Sequence, residues 1–349
     1  MDDTTLKLRM VERLSEVDRE AWDAVANPPG RTFDPFLSWD FLEAMESCHA
    51  AIPESGWTPA HLLVEGVDKT LRAAMPLYAK THSQGEFVFD HNWADAYYRS
   101  GGQYYPKLLS AVPCTPVSGR RVLSAPGADE VHLQRALLAG AVQLAERNEF
   151  SSLHVNFLQP DTAEALKQDG MMIRTDQQFH WENQGYPDFD TFLAALSSAK
   201  RKNLRKERAK AQAGLTFKHL QGDDFQEHHW DAFLEFYMDT GSRKWGYPYL
   251  NRDTFSVLGE RLADQIVLIM AYDDEVPIAG ALNFVGSETL YGRYWGCTDP
   301  RPFLHFETCY YQAIDYAIAH GLKTVEAGAQ GGHKLALGYA PVTTYSAHW

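Results

Sequence analysis

The stretch that decides the fold is residues 266–296, IVLIMAYDDEVPIAGALNFVGSETLYGRYWG. It contains three runs rich in β-branched and aromatic residues, which are the residues that strands favour. Between the runs lie Asp273-Asp274 and Gly286-Ser287, which are residue types that favour tight hairpin turns. The pattern therefore predicts an antiparallel meander of three strands: Ile266–Tyr272, Pro277–Val285 and Glu288–Gly296.

The elements around this meander recur loosely in the N-terminal half. Helical periodicity predicts one long helix at Phe189–Ala213 and another at His305–His320, on either side of the meander. In the first half, strand-like runs that end with Glu86–Asp90 precede a long loop at Asn92–Pro126 and an amphipathic helix at Asp129–Asn148. We therefore expect an α+β protein made of two similar domains, residues 1–183 and residues 184–349.

Composition excludes several classes of protein. The chain has 349 residues and a formal net charge of −14, which argues against a general nucleic-acid binder because such proteins need positive surface. The N-terminus lacks a basic start with an apolar run, and the sequence has no apolar stretch long enough to span a membrane. Four scattered cysteines fit no metal-ligand spacing and are typical of a reduced cytosol. These features predict a cytoplasmic protein with no bound metal.

The most basic part of this acidic chain is AKRKNLRKERAK, residues 199–210, which has seven cations and one anion. Like charges four residues apart destabilise a helix, so helix stability does not explain the run. Arginine binds phosphate oxygens in a bidentate way, which makes Arg201, Arg205 and Lys206 candidates for binding an anionic substrate. The alternative is a solvated face that pairs with acidic residues elsewhere.

A glycine-rich stretch with polar side chains, EAGAQGGHK at residues 326–334, follows a predicted strand. Glycine lets the backbone approach a ligand closely. Glu326 or His333 would accept a proton, and Gln330 and Lys334 would bind a polar or anionic group. The alternative is a tight turn with solvated side chains.

Two further stretches carry candidate site residues. In RPFLHFETCYY, residues 301–311, His305 and Glu307 open a helix where backbone N–H groups favour an anion. In the first half, Asp90, Trp93 and Tyr105 would line a groove for a peptide or a sugar-peptide. Simple helix capping, and a loop packed on the core, are the respective alternatives.

Four long runs resemble one family: PLYAKTHSQGEFVFD, WADAYYRSGGQYYPKLLSAVPCTPVSGRR, LHFETCYYQAIDYAI and VEAGAQGGHKLALGYAPVTTYSAHW. They look like the bacterial FemAB-like predicted N-acyltransferases, often labelled peptidoglycan-biosynthesis proteins. The resemblance covers essentially the whole chain. It implies two tandem acetyltransferase-type (GNAT) domains, as in the Fem aminoacyltransferases. The run SSAKRKNLRKERAKA is similar to the basic helix that precedes the second domain of those enzymes.

Two residues depart from the family pattern. Gly332 stands where members usually have an acidic residue, and Leu337 stands where they usually have arginine. These changes are compatible with an altered specificity, with reduced activity, or with a relative that binds ligand without turning it over.

The resemblance leaves two acyl donors open, aminoacyl-tRNA and acyl-CoA. CoA-dependent members of the superfamily bind the pyrophosphate with a glycine-rich loop, whereas the corresponding loop here, Cys297–Leu304, has two prolines and no glycine. That difference disfavours acyl-CoA, and an aminoacyl-tRNA donor would touch the protein only locally because the chain is acidic. The expected acceptor is an amine on a small molecule or a peptide, such as a peptidoglycan precursor; a CoA-dependent N-acetyltransferase of a small amine is the enzymatic alternative.

The expected reaction assigns a role to each candidate. An alkylamine is protonated at pH 7, so a base must deprotonate it before it attacks. We expect Glu307 or Glu326 in that role, with His333 as the alternative. Tyr310 or Tyr339 would protonate the leaving oxygen. No nucleophilic triad is apparent, so direct transfer is favoured.

Overall fold

The structure is a computed structural model, and it describes residues 6–127, 129–243, 248–328 and 331–349. Fifteen strands and eleven α-helical segments are assigned within these ranges. The elements of the first half, in chain order, are β1 Lys7–Val11, α1 Arg19–Ala26, α2 Trp39–Ser47, β2 Trp57–Pro59, β3 His61–Glu65, β4 Leu71–Met75, β5 Tyr78–Lys80, α3 His91–Arg99, β6 Lys107–Ser110, β7 Leu123–Ser124, α4 Glu130–Arg147, β8 Leu153–Leu158 and α5 Pro160–Gln168. Those of the second half are β9 Met172–Glu182, α6 Phe189–Ala195, α7 Ser198–Ala211, β10 Leu215–Leu220, α8 Glu227–Arg243, α9 Arg252–Arg261, β11 Ile266–Asp273, β12 Val276–Val285, β13 Thr289–Cys297, α10 Leu304–Phe306, α11 Gln312–Ala319, β14 Thr324–Glu326 and β15 Ala340–His348.

The chain forms two compact units. Unit 1 is Met1–Asp176 together with Thr343–Trp349, and unit 2 is Gln177–Val342. This division differs from the predicted domains, 1–183 and 184–349, in two ways: the boundary lies after Asp176, and the last seven residues belong to unit 1. There, β15 pairs with β8 in antiparallel register, with Ala347 opposite Val155. A pairing between strands almost 200 residues apart leaves no local signal in the sequence.

Unit 1 consists of two groups of paired strands and their helices. The strands β1, β3, β4 and β7 pair in that order, and β2, β5, β6, β8 and β15 form the second group. Within the second group, β6 and β8 are parallel. Helix α4 packs on the strands through residues spaced four apart, namely Leu133, Leu137, Ala141 and Ala145, all buried.

Unit 2 contains the predicted meander. Its strands are ordered β10, β11, β12, β13, β14, β9. The strands β11, β12 and β13 pair antiparallel over nearly their whole length, as predicted. By contrast, β13 and β14 are parallel and pair at only three positions, the last of which joins Tyr291 to Glu326. Because β13 continues to Cys297 while β14 ends at Glu326, the pairing of the two strands ends at that point, which we describe as the point where they part.

Three local predictions were wrong. Residues Glu86–Asp90 form no strand, and the predicted loop Asn92–Pro126 contains β6, β7 and most of α3. The predicted helix Phe189–Ala213 is two helices, because Leu196 is extended and Ser197 caps α7 by accepting a hydrogen bond from the Lys200 N–H. Serine is a strong N-cap residue, so a second helix starts where periodicity alone continues the first.

The described helices include none that is both long enough and apolar enough to cross a membrane.

At Gly296 the backbone of helix α8 lies very close to the meander. A Cβ at this position would lie 2.0 Å from the backbone oxygen of Phe236 in α8. The Gly296→Ala variant should therefore lose about 1–3 kcal/mol or more of unfolding free energy, because a helix backbone cannot move aside cheaply. Chemical denaturation measures this change.

Gly332→Ala is the matched control in the same unit, since its Cβ would meet no atom within 4 Å. Equal denaturation midpoints for the two variants would contradict the predicted close packing.

Candidate functional site

The candidate site of unit 2 surrounds the point where β13 and β14 part. We call the four side chains Tyr310, His333, Lys334 and Tyr339 the splay cluster. Tyr310 lies on a π-helical turn, Glu307–Tyr311, that joins α10 to α11. His333 and Lys334 lie on a 3₁₀ turn that follows β14, and Tyr339 comes directly before β15. The topology thus brings Tyr310, from the predicted site stretch 301–311, close to His333 and Lys334, from the glycine-rich stretch 326–334.

Tyr310 and His333 form the hydrogen-bonded part of the cluster. The Tyr310 hydroxyl lies 3.2 Å from His333 Nε2. The His333 ring stacks on Phe306 at 5.5 Å, and the Tyr339 ring meets Tyr310 edge-on at 5.6 Å. His333 is exposed, and partial desolvation together with the neighbouring Lys334 lowers its pKa below the usual value. At neutral pH the imidazole is therefore mainly uncharged and able to accept a proton.

Lys334 is buried, although it follows an exposed histidine. Its ammonium donates hydrogen bonds to the carbonyl oxygens of Ala327 and Gly328, the latter at 3.0 Å. Burial, and then the charge of Arg293, lowers the pKa of Lys334 to about 8. The side chain holds the turn after β14 in place, and its role in binding an anionic substrate stays a prediction.

Glu326 ends β14 and is almost buried. One carboxylate oxygen accepts a hydrogen bond from Arg293 at 2.7 Å, and the other lies 3.8 Å from His180 Nε2. Both carboxylate oxygens therefore face cationic or titratable side chains. Glu326 therefore lies at the predicted place, where it forms an ion pair that fixes the end of the strand.

Glu307 is fully buried in a polar network. Its Oε1 atom accepts hydrogen bonds from Arg208 at 3.2 Å, Gln212 at 2.8 Å and Gln312 at 2.7 Å. Arg208 also donates to Asp315. Burial raises the pKa of Glu307. The network ties the basic helix α7 to the π-turn, and the role of Glu307 as the base stays a prediction.

The basic helix α7 has two distinct faces. Leu204 and Ala211 are buried, and Arg208 packs beside them. The predicted substrate-binding residues face outward: Arg205 donates to Asp190 at 2.9 Å, Arg201 donates to the Ala194 carbonyl at 3.1 Å, and Lys206 is exposed. The predicted pairing with acidic residues therefore accounts for part of the run, and Lys206 remains open to solvent.

Two further predicted site residues of unit 2 are His305 and Gln330. His305 packs beside Tyr310 at 5.3 Å and beside Trp295 at 5.1 Å, so it borders the splay cluster. Gln330 lies outside the residues that the structure describes.

Unit 1 brings Asp90, Trp93 and Tyr105 together. Asp90 is buried and accepts hydrogen bonds from the hydroxyls of Tyr104 at 2.9 Å and Tyr105 at 3.2 Å. Trp93 is 37% exposed and packs edge-on against His348 at 4.8 Å. The buried Asp90 thus fixes the hydroxyls of Tyr104 and Tyr105, while the side chains of Trp93 and Tyr105 stay partly exposed to solvent.

The sequence analysis missed the buried charges beneath this loop. Lys107 donates to both Glu86, at 2.7 Å, and Asp90, and all three are almost fully buried. Lys80 is the cross-strand partner of Lys107. Burial lowers the pKa of Lys80 to about 7 and raises the pKa of Glu86 to about 7. The signal in the sequence was Lys107 beside the apolar residues of β6. Only the tertiary structure shows that its partners are Glu86 and Asp90 and that Lys80 lies opposite it on β5.

Within the described ranges, no three His, Cys, Asp or Glu side chains are grouped as a metal site requires.

The comparisons with known proteins agree with this architecture. A family model for FemAB-like proteins, described as peptidoglycan biosynthesis or recognition, matches residues 13–349. The chain is 13% identical to FemX, with 97% of this chain and 96% of FemX covered and a TM-score of 0.57. It is 10% identical to L-PGS from Bacillus licheniformis, with coverages of 91% and 93% and a TM-score of 0.54. Among curated proteins there is no match.

A third solved structure, a tandem GNAT protein from the clavulanic acid biosynthesis pathway, is 13% identical over 99% of this chain and 98% of its own, with a TM-score of 0.51. These likenesses establish the fold class, an α+β protein with two tandem GNAT-like domains. The chain belongs to the FemAB-like family. Family membership supports the predicted transfer of an acyl or aminoacyl group to an amine and favours neither alternative function.

The Glu307 network makes a prediction about stability. Replacing Glu307 with Gln should lower the unfolding free energy by roughly 2–3 kcal/mol, because hydrogen bonds to a buried charge are lost. Chemical denaturation of the variant measures the loss. Glu288→Gln is the control, since Glu288 is exposed and its ion pair with Lys323 is worth little. An unchanged stability with abolished transfer would instead identify Glu307 as the base.

The buried Glu86 makes a prediction about pH. Its pKa is raised to about 7 in the folded protein from an ordinary 4.5, so its protonated form adds stability that is lost as pH rises between these values. Glu86→Gln stays neutral, so the stability of the variant relative to the wild type should increase over that interval, by up to about 3 kcal/mol.

Denaturation at a series of pH values measures the difference. Glu164→Gln, an exposed site in the same unit, should show no such trend. A pH-independent difference for Glu86→Gln would contradict the raised pKa.

Proposed function

We propose that this protein transfers an aminoacyl or acyl group from an activated donor to an amine of a peptidoglycan-precursor peptide. The observation that carries the proposal is the parting of the parallel strands β13 and β14, with the Tyr310–His333 pair at the opening. An acyl donor would bind where the pairing of the two strands ends, beside the Tyr310–His333 pair. Membership of the FemAB-like family supports the same reaction.

His333 is the base in this proposal. An acceptor ammonium must lose a proton before its nitrogen attacks the acyl carbon. His333 is exposed and mainly neutral, since its pKa is lowered, whereas Glu326 is held by Arg293 and Glu307 accepts three hydrogen bonds. Tyr310, bonded to the same imidazole, then donates a proton to the leaving oxygen. This assignment reverses the predicted order, in which the carboxylates came first.

We propose aminoacyl-tRNA as the donor. Pro300 and Pro302 carry no N–H group, and the side chain of Arg301 is engaged by Asp273 at 2.5 Å and Asp299 at 2.8 Å. This loop therefore offers few N–H groups and no unengaged arginine side chain to bind the pyrophosphate of CoA. The outward cations of α7, such as Lys206, would contact a nucleic-acid backbone at one place.

Unit 1 has a surface that would bind a peptide or a sugar by itself. Trp93 and Tyr105 offer aromatic surface for a peptide or sugar, and the buried Asp90 orients the Tyr105 hydroxyl. Family membership, described as peptidoglycan biosynthesis or recognition, supports a sugar-peptide as the acceptor rather than a small free amine.

A transfer assay tests the function. The purified protein receives radiolabelled alanyl-tRNA or acetyl-CoA, each with a UDP-linked muropeptide that carries a free amine. We expect amide formation from alanyl-tRNA, and His333→Gln should lower the rate by roughly 100-fold or more, because a general base contributes that much.

His228→Gln, another histidine of unit 2 placed on α8, is the matched control and should keep the wild-type rate. Amide formation from acetyl-CoA alone would overturn the proposed donor. A full rate in His333→Gln would remove His333 from the mechanism.

A further inference from the structure

Asn283, on β12, carries a buried oxygen atom that the mechanism described so far does not use. The residue is 1% exposed, and its Oδ1 atom has no hydrogen-bond partner among the described residues. The Nδ2 atom of the same amide donates to the carbonyl oxygens of Val267, at 3.3 Å, and Ala281, at 3.0 Å. Only the nitrogen end of the amide can donate to a carbonyl, so these two bonds fix the direction in which Oδ1 points. Buried polar atoms are normally paired, and a fixed acceptor without a donor indicates a place for a ligand.

The register of β12 and β13 places this oxygen beside Gly292. Asn283 lies opposite Gly292, whereas the residue before it lies opposite Tyr294, so Arg293 is an extra residue in β13. Such a β-bulge re-aims side chains and is common next to active sites. A Cβ on Gly292 would lie 3.3 Å from Asn283 Oδ1. Because glycine has no Cβ, this position beside Gly292 is open, and Gly292 is itself partly exposed.

The open position beside Gly292 lies where the pairing of β13 and β14 ends. The point that a Cβ on Gly292 would occupy is 3.4 Å from the backbone oxygen of Glu326 and 3.9 Å from the Cα atom of Ala327. Glu326 is the last residue of β14, and the Ala327 carbonyl oxygen accepts a hydrogen bond from Lys334. Lys334 directly follows His333 in the chain. Short contacts therefore join the open position to the segment that carries the proposed base.

The atoms around the open position favour a ligand group that donates a hydrogen bond. Asn283 Oδ1 and the Glu326 backbone oxygen are both acceptors, so neither can bind a carbonyl or phosphate oxygen. An N–H or O–H group would satisfy the buried Oδ1 atom, whereas a methyl group would leave it unpaired at a cost. Both oxygens lie within 3.4 Å of the point that a Cβ on Gly292 would occupy, so only a small group fits.

An aminoacyl ester carries a small donor group of this kind. Its α-amino nitrogen is bonded to the carbon next to the acyl carbon, so the nitrogen lies close to the reacting centre. The ordinary pKa of an α-amino group is about 7.7–8.0, against about 10.4 for a lysine side chain. An appreciable share of such an amine is therefore uncharged near neutral pH. That form suits a neutral acceptor that has the cationic side chains of Arg293 and Lys334 nearby.

We propose that Asn283 recognises the α-amino group of the donor, so that the protein uses aminoacyl esters in preference to acyl esters without that group. The Oδ1 atom accepts a hydrogen bond from the amine, and the open position beside Gly292 receives the nitrogen. This inference rests on the proposed function and narrows its donor class. Asn283 is a specificity-determining residue that touches the substrate and transfers no proton.

A binding experiment tests this recognition without any turnover. The probes are two stable amides of 3′-amino-3′-deoxyadenosine, one with an alanyl group and one with a propionyl group, which differ only in the α-amino group. Titration calorimetry on the whole chain should show at least roughly 10-fold tighter binding of the alanyl probe, because a buried hydrogen bond contributes about that much. Equal binding of the two probes, or binding of neither, would overturn the proposal.

Two variants test the residues themselves. Asn283→Leu removes the acceptor at similar volume and should make the two affinities equal. Gly292→Ala leaves the hydrogen bonds of Asn283 unchanged but fills the open position with a methyl group, and it should have the same effect. Asn148→Leu, at an exposed asparagine of unit 1, is the control and should keep the wild-type preference.

Thermal melting checks that each variant is folded. If Asn283→Leu does not fold, Gly292→Ala decides the question by itself, since a folded Gly292→Ala protein that keeps the wild-type preference would contradict the proposed site.

A transfer assay separates this inference from the proposed function. The wild type should form amide from alanyl-tRNA with a kcat/KM at least roughly 10-fold above that from propionyl-tRNA. Equal values for the two donors would overturn recognition by Asn283 and leave the proposed function intact. A protein that prefers the alanyl probe in the binding experiment but forms no amide from alanyl-tRNA would support the recognition and defeat the proposed function.

Discussion

The short parallel pairing of β13 and β14 is the constraint on which the rest of unit 2 depends. Gly292 sits where β13 passes β14, and a Cβ there would lie 3.4 Å from the Glu326 carbonyl oxygen. The ion pair between Arg293 and Glu326 holds the strands together up to this point. Beyond it β13 continues without β14, and the carbonyl oxygens of Ala327 and Gly328, directly after β14, accept hydrogen bonds from Lys334 instead of from a neighbouring strand.

The segments beside the opening are fixed by buried polar contacts rather than by sheet pairing. Lys334 holds the turn after β14 through two carbonyl oxygens, and Glu307 holds the π-turn against α7 through three donors. Such groups are costly to bury unless they are paired, and the partners come from the chain after β14 for Lys334 and mainly from α7 for Glu307. These contacts fix the segments that carry Tyr310 and His333, whose side chains lie 3.2 Å apart.

Charge has different uses in the two units. In unit 1, Lys107 donates hydrogen bonds to both Glu86 and Asp90 in the interior, and nearby aromatic side chains such as Trp93 and Tyr105 remain partly exposed. In unit 2, the basic helix turns Arg208 inward to Glu307 and leaves Lys206 in solvent. A run of like charges along one helix is tolerated because only the inward residues must find partners.

The sequence by itself determined the fold class, the three-strand meander and the family, because alternating apolar residues and turn residues act locally and long motifs carry the resemblance. It also named Tyr310, His333 and Tyr339, although it ranked Glu307 and Glu326 above His333. Tertiary structure alone decided that β15 belongs to unit 1, that Lys80 and Lys107 are partners, and which nearby groups face Glu307 and Glu326. These features depend on contacts between residues far apart in the chain. Neither periodicity nor composition records which distant strand or helix supplies a partner, and the partner decides whether a carboxylate acts as a base or as a structural ion pair.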